Sequence, residues 1–238
     1  SFKNVLTIGT EAFRNCSSLT SVSFPVVSYI GNYAFYSCTS LSSINFPDVT
    51  NICYSAFAAC ASLSSVVLPV VSYIGDGAFQ TCPTLTSVSL PYASHIGNYA
   101  FGNCGTLLSA DIRRVQYIGS YAFANCSALA TVNIVMATYI GNGAFSICYS
   151  LASISLPYVS YIGEFAFISC SSLSSIFSPS ATYIGSSAFA NCSSLVSVSL
   201  QNATYIGDSA FAKCSSLTSI DLPNATYIAG GAFAKCSS

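Results

Sequence analysis

Cysteine falls at positions 16, 38, 60, 82, 104, 126, 148, 170, 192, 214 and 236, each 22 residues after the last, with no insertion or deletion. A fixed period of this length marks a solenoid. One repeat is a single supersecondary unit that cannot bury its apolar face alone, and stacked repeats share a continuous core. The unbroken register, with no linker or composition shift, predicts a single domain over residues 1–238. The chain begins and ends in mid-repeat: after Cys236-Ser237-Ser238 the pattern calls for a leucine. It therefore reads as a fragment of a longer chain. No signal peptide opens it, and targeting signals are expected in the missing ends.

Aligning the sequence on its period shows what each rung requires. Ile recurs at 8, 30, 52 and onward to 228, and Ala-Phe from Ala12-Phe13 to Ala232-Phe233. Leu recurs from 19 to 217. It is followed three residues later by Val or Ile (Ala110 once), and two further on by Phe24, Phe46, Leu68, Leu90 and their equivalents, usually before Pro. The LxxVxL stretch suits a short strand that the proline terminates. Ile8 and Ala12 stand at helical spacing, which predicts a helical or 3₁₀ turn opposite that strand. Gly9, Gly31, Gly75 and their equivalents are expected to supply a left-handed turn between the two. Phe13, Phe35, Phe57 and their counterparts should form an internal aromatic spine. Parallel strands stacked at ~4.8 Å per rung give a body about 50 Å long.

The motif IGxxAFxxCxSLxxVxLP resembles the BspA-like branch of the leucine-rich repeat family, and the resemblance covers essentially the whole chain. It implies an α/β solenoid of about eleven rungs, with parallel strands on the concave face and short helical or 3₁₀ turns opposite. Rung five departs locally at Ala110-Asp111-Ile112-Arg113-Arg114, and Cys53 and Ala229 stand at glycine positions. The resemblance also implies a cell-surface or secreted module that binds protein or glycan on a host or another cell.

Catalytic chemistry finds little support in the residues. His95 is the one histidine, in a column otherwise mostly Tyr (Tyr29, Tyr73, Tyr117 and onward, with Asn51). The acids are scattered, no GxSxG elbow is present, and no triad can be assembled around one remote histidine. Glycine recurs at most once per rung in the main column, and no phosphate-cradling loop is read from it. Metal sites want cysteines in close pairs, not 22 apart, so neither a metal nor a cofactor is expected. Successive cysteines would nonetheless come within disulfide range. Buried free thiols are favoured because stacked side chains point the same way, and inter-rung disulfides remain the alternative. With six basic and seven acidic residues and a net charge of −1, the chain has no electrostatic footprint for nucleic acid. No run of eighteen apolar residues suggests direct insertion into a membrane.

What remains is the strand face. One outward column is nearly constant, from Ser21 through Ser43 to Ser219. The column two residues on varies: Ser23, Asn45, Val67, Ser89, Asp111, Asn133, Ser155, Phe177, Ser199 and Asp221. Variation inside a rigid template points to recognition at Asn45, Val67, Asp111, Asn133, Phe177 and Asp221. The one local charge cluster adds Arg113 and Arg114. The rival reading is a structural spacer or fibre segment, of stalk or tail-fibre type, whose face is passive. In either case the bare strand edges at the termini invite end-to-end self-association of the fragment. The tyrosine column could be a self-supporting ladder, which aromatic neighbours on adjacent strands favour, or an exposed platform.

Overall fold

A computed structural model of the chain describes residues 3–236; Ser237 and Ser238, where the repeat breaks off, lie outside the described residues. Each rung contributes a two-residue strand (Thr7–Ile8, Tyr29–Ile30, and so on to Tyr227–Ile228). All rungs but the last add a three-residue strand (Ser21–Ser23, Ser43–Asn45, and so on to Ser219–Asp221). Every pairing is parallel and shifted by one repeat, as in Thr7↔Tyr29 and Ser109↔Thr131. The two-residue strands were not foreseen, although Tyr-Ile is a pair of strand-favouring residues. They form one continuous eleven-stranded sheet, whereas the three-residue strands form sheets of two, four and four. The interruptions fall between Ser43–Asn45 and Ser65–Val67, and between Thr131–Asn133 and Ser153–Ser155.

No helix occurs among the described residues, so the expected α/β class is corrected to an all-β parallel solenoid. The backbone of the turn explains why. Ala12 N–H donates to Gly9 O, Arg14 N–H to Glu11 O and Cys16 N–H to Phe13 O, at 3.3, 3.0 and 3.2 Å. The intervening donors leave the rung: Glu11, Phe13 and Asn15 N–H reach Asn32, Ala34 and Tyr36 O of the next rung at 2.9, 2.7 and 2.8 Å. Glu11 and Asn15 both take φ of 59°, and the pattern recurs down to Ser209 and Lys213. Two left-handed residues in five cannot belong to a right-handed helix. A non-glycine residue held there costs about 1–3 kcal/mol. Here each such residue also donates a bond to the next rung, which offsets that cost.

The glycine column has a different purpose from the one expected. Gly9, Gly31, Gly141 and their equivalents do not take positive φ. A Cβ on Gly31 would lie 2.8 Å from the carbonyl carbon of Gly9 and the nitrogen of Thr10, and one on Gly141 2.7 Å from Gly119. Glycine is required because one backbone rests directly on another. Nothing in the structure explains why Cys53 is accepted in this column.

The core is one continuous cluster built from the repeating Ile, Ala, Phe, Cys and Leu columns. The phenylalanine spine is present as foreseen. Rings from Phe13 to Phe233 stack face to face, with centroids 5.0 Å apart at Phe13–Phe35 and 5.3 Å at Phe123–Phe145. Ser178 takes a core position that other rungs give to Phe, Leu or Ile, and is fully buried. Its hydroxyl donates to Leu156 O at 3.1 Å, so the substitution leaves no unsatisfied group.

All twelve cysteines are free thiols. Ladder cysteines from Cys38 to Cys236 donate to the carbonyl of the phenylalanine 25 residues earlier, at 3.0 Å for Cys38 to Phe13 and 3.2 Å for Cys104 to Phe79. Burial pushes the thiols of Cys60, Cys170 and Cys214 up to about 12. Among the described residues no cluster of His, Cys, Asp or Glu is placed to hold a metal ion. Nor is any helix long and apolar enough to cross a membrane.

The tyrosine column is a ladder, and His95 continues it rather than interrupting it. Its ring lies 4.8 Å from Tyr73 and 4.7 Å from Tyr117, nearly parallel to both. The stack runs without a gap from Tyr73 to Tyr227. Desolvation between the two rings lowers the pKa of His95 below its ordinary value, with Asp76 acting weakly the other way.

These features give three expected outcomes. Phe123→Ala should destabilise the chain by about 3–5 kcal/mol in urea denaturation, because stacked neighbours on both sides cannot collapse into the cavity. A chromogenic thiol reagent at mildly alkaline pH should label the exposed Cys16 and the half-buried Cys53 and Cys236 quickly. The remaining ladder thiols should react only on unfolding, and rapid native labelling of Cys126 would contradict the buried ladder. Because the folded state disfavours protonated His95, unfolding takes up a proton. Stability present above pH ~6.5 should decline as the pH falls through and below that value. His95→Tyr, which restores the column residue, should flatten the slope between pH 7 and pH 5.

Candidate binding face

The three-residue strands present alternate side chains outward because each has its middle residue in the core. Val66, Val88 and Ala110 are buried, while Ser65 and Val67 stand exposed. Parallel register then aligns the third residues into one column. The pairings Val67↔Ser89↔Asp111↔Asn133 and Ser155↔Phe177↔Ser199↔Asp221 place them side by side, and Ser23↔Asn45 forms the first segment. Asn45, Val67, Asp111, Asn133, Phe177 and Asp221 thus share one face, as the sequence indicated. Val67 and Phe177 are its apolar members, 63% and 52% exposed. Five rungs separate them, roughly 24 Å at strand spacing.

The polar members are held in place by their neighbours. Arg113 Nε donates to Asp111 Oδ1 at 3.0 Å and Nη2 to Oδ2 at 2.6 Å, a two-point contact that raises the arginine pKa further. Asn133 Nδ2 donates to the same Oδ1 at 3.0 Å. Asn45 Nδ2 donates to Ser23 Oγ at 3.1 Å. Asp111 therefore joins a residue of its own strand end to the next rung and fixes the orientation of both. Around it the face dips into a shallow groove of about 550 Å³, lined by Ser87, Ser89, Ser109, Asp111, Thr131 and Asn133 and reaching Ser153. Ser153 lies across the second interruption of the sheet, so the groove crosses the point where strand pairing lapses.

Arg113 and Arg114 are adjacent in sequence but serve different surroundings. Arg114 places its guanidinium 4.5 Å from the centroid of the Tyr92 ring, in a second depression that also takes in Gln116 and the exposed Met136. The structure thus brings Asp111, Arg113 and Asn133 together and sets Arg114 apart. Asn45 and Asp221 lie near opposite ends of the column. His95 belongs to the tyrosine ladder rather than to the strand face. Chemically the face offers hydroxyl, amide and one carboxylate–guanidinium pair, flanked by two apolar side chains. That composition suits contact over a wide area.

Comparison with known proteins agrees with this architecture. The family description "BspA type Leucine rich repeat region" matches residues 6–130 and 116–238 in six copies. A leucine-rich repeat protein from Bacteroides ovatus ATCC 8483 is 31% identical. The match covers 92% of this chain and 70% of that one, with a TM-score of 0.56. A leucine rich cell surface protein from Faecalibacterium prausnitzii A2-165 is 31% identical over 98% of this chain and 75% of that one, with a TM-score of 0.54. The T. pallidum leucine-rich repeat protein is 34% identical over 62% of this chain and 72% of that one, with a TM-score of 0.57. A comparison with functionally curated proteins gives no match. The same glycine, Ala-Phe, cysteine and leucine columns that build the solenoid carry the family match from end to end, and the chain belongs to the BspA-type leucine-rich repeat family.

Proposed function

We propose that this chain is a non-catalytic binding module of a surface or secreted protein, and that it presents the three-residue strand face to a protein or glycan on another cell or in a matrix. Proteins built from these repeats are in general interaction or surface modules rather than enzymes, and one similar structure is described as a cell surface protein. The observation that carries the reading is the third-residue column. The columns on either side of it keep to core residues, apart from Ser178, yet it runs Asn45, Val67, Ser89, Asp111, Asn133, Ser155, Phe177 along a single exposed line. Many shallow contacts add up on such a face because the rungs are already ordered, and little conformational freedom is lost on binding.

A spacer role has its own support in the unbroken axial stacks of phenylalanine and tyrosine, which would serve a stalk equally well. The two readings differ in what the face does. With immobilised matrix proteins and glycans as targets, Phe177→Ala and Asp111→Ala should each weaken binding about tenfold or more, as expected for central anchors. Asn45→Ala, near the end of the column, should have a smaller effect. Unchanged binding in all three would favour the spacer. Since the charges of the face are the Asp111–Arg113 pair, already closed on itself, and Asp221 near one end, raising the salt several-fold should alter affinity by less than about threefold. A collapse of binding in moderate salt would contradict recognition by polar and apolar contact.

A further inference from the structure

A second surface feature lies away from the strand face, in the turn that follows each two-residue strand. The first left-handed position of that turn is Tyr33, Ser55, Gly77, Tyr99, Tyr121, Gly143 and Phe165 in successive rungs, all with φ between 48° and 63°. Large side chains are therefore accepted here, and the backbone does not demand glycine at residue 77. What Gly77 does is remove a side chain from a row of bulky ones. At Gly143 the space so created is already filled, because a Cβ built there would lie 2.4 Å from the ring of Tyr121. At Gly77 a Cβ would meet Ser55 Oγ at 2.9 Å and Gln80 Oε1 at 3.4 Å, and beside that position lies a notch of about 380 Å³, lined by Tyr54, Tyr99 and Tyr121 and edged by Asp76, Gln80 and Asn98.

The polar edge is preorganised. Asp76 Oδ1 accepts Asn98 N–H at 2.8 Å and Oδ2 accepts Asn98 Nδ2 at 3.2 Å, while Asn98 Oδ1 accepts Ser120 N–H at 2.7 Å. Each carboxylate oxygen keeps a lone pair for a further donor. Gln80 Oε1 stands 3.4 Å from the point where a side chain on residue 77 would begin, so its amide overhangs the opening. Tyr99 stands on the Gly77 side of the stack and is backed by Tyr121 at 5.0 Å, whose ring leans toward Gly143.

We propose that the notch at Gly77 is a saccharide site that takes one neutral pyranose unit. The tyrosine rings receive the C–H face of the sugar. Asp76 and Asn98 are short side chains fixed by their mutual hydrogen bonds, and with the Gln80 amide they match vicinal hydroxyls. No Lys or Arg lines the notch to recruit an anion, and the walls are aromatic rather than aliphatic. The volume falls at the low end of small-molecule sites, about 300–1,000 Å³. The site is separate from the strand face and stands or falls independently of the function proposed for it.

The test is saturation-transfer NMR on the intact chain with methyl glucoside, methyl galactoside, methyl mannoside and N-acetylglucosamine at millimolar concentration. At least one sugar should receive saturation. Gly77→Tyr should weaken its binding about tenfold or more while leaving the thermal midpoint near that of the parent. That variant is compatible with the fold because Tyr33, Tyr99 and Tyr121 occupy the same position, and the nearest atom to the new Cβ is the Ser55 hydroxyl at 2.9 Å, which can rotate. Asp76→Asn should likewise weaken binding, whereas Phe177→Ala on the strand face should leave it unchanged. Should Gly77→Tyr fail to fold, Tyr99→Ser serves in its place, since Ser55, Ser187 and Ser209 occupy the same column. Saturation of none of the four sugars, or saturation that survives both Gly77→Tyr and Tyr99→Ser, overturns the proposal.

Discussion

Parallel backbone bonding sets the distance between rungs, and at most positions of the glycine column it brings backbone directly against backbone. A Cβ at Gly119 would meet Asn98 N and the Gly97 carbonyl carbon at 2.6 Å, so neighbouring rungs meet there with no side chain between them. The same closeness lets Phe101 N–H reach Ala122 O at 2.7 Å and Gly119 N–H reach Ile96 O at 2.8 Å. Aromatic stacking at about the same spacing follows, and so does the cysteine thiol's reach to the phenylalanine carbonyl. Each of these contacts needs its partner 21, 22, 23 or 25 residues away. A single inserted residue would displace the ladders of its rung together, which is a physical reason for a period kept without exception from Cys16 to Cys236.

Much of this was readable from residue types. A phenylalanine recurring every 22 residues in a parallel stack can only meet other phenylalanines, and Val66 between Ser65 and Val67 signals a strand with one buried side chain. The turn was not readable by the same means. Ile8 and Ala12 are spaced as on a helix, but they are spaced for the core. The conformation is set at two positions: asparagine at 15, 103, 125 and 191 tolerates a left-handed backbone, but Glu11, Tyr33 and Phe165 at the other position do not announce one. The glycines drew attention to the wrong place for a similar reason. Glycine serves both positive φ and close approach, and only the position of the neighbouring rung decides between them.

The strand-face residues show the same division. Alignment by period placed Asn45, Val67, Asp111, Asn133, Phe177 and Asp221 on one line, because register in a parallel ladder follows directly from repeat number. It could not separate Arg113 from Arg114, since which of two adjacent side chains turns toward Asp111 and which toward Tyr92 depends on local chain direction after the strand. Nor could it reveal the notch at Gly77. Glycine among Tyr33, Ser55, Tyr99 and Tyr121 looks like ordinary drift until the shared backbone conformation shows that it is a missing side chain.

The two strand ladders are unequal along the length of the molecule. The tyrosine side is one sheet of eleven strands, and the side of the three-residue strands is cut twice, after Asn45 and after Asn133. The backbone bonds of the turn cross both cuts, Phe35 N–H to Ala56 O at 2.7 Å and Phe123 N–H to Ala144 O at 2.8 Å. Strand pairing therefore lapses along one side of the solenoid only, while the tyrosine sheet and the turns carry the register past each cut.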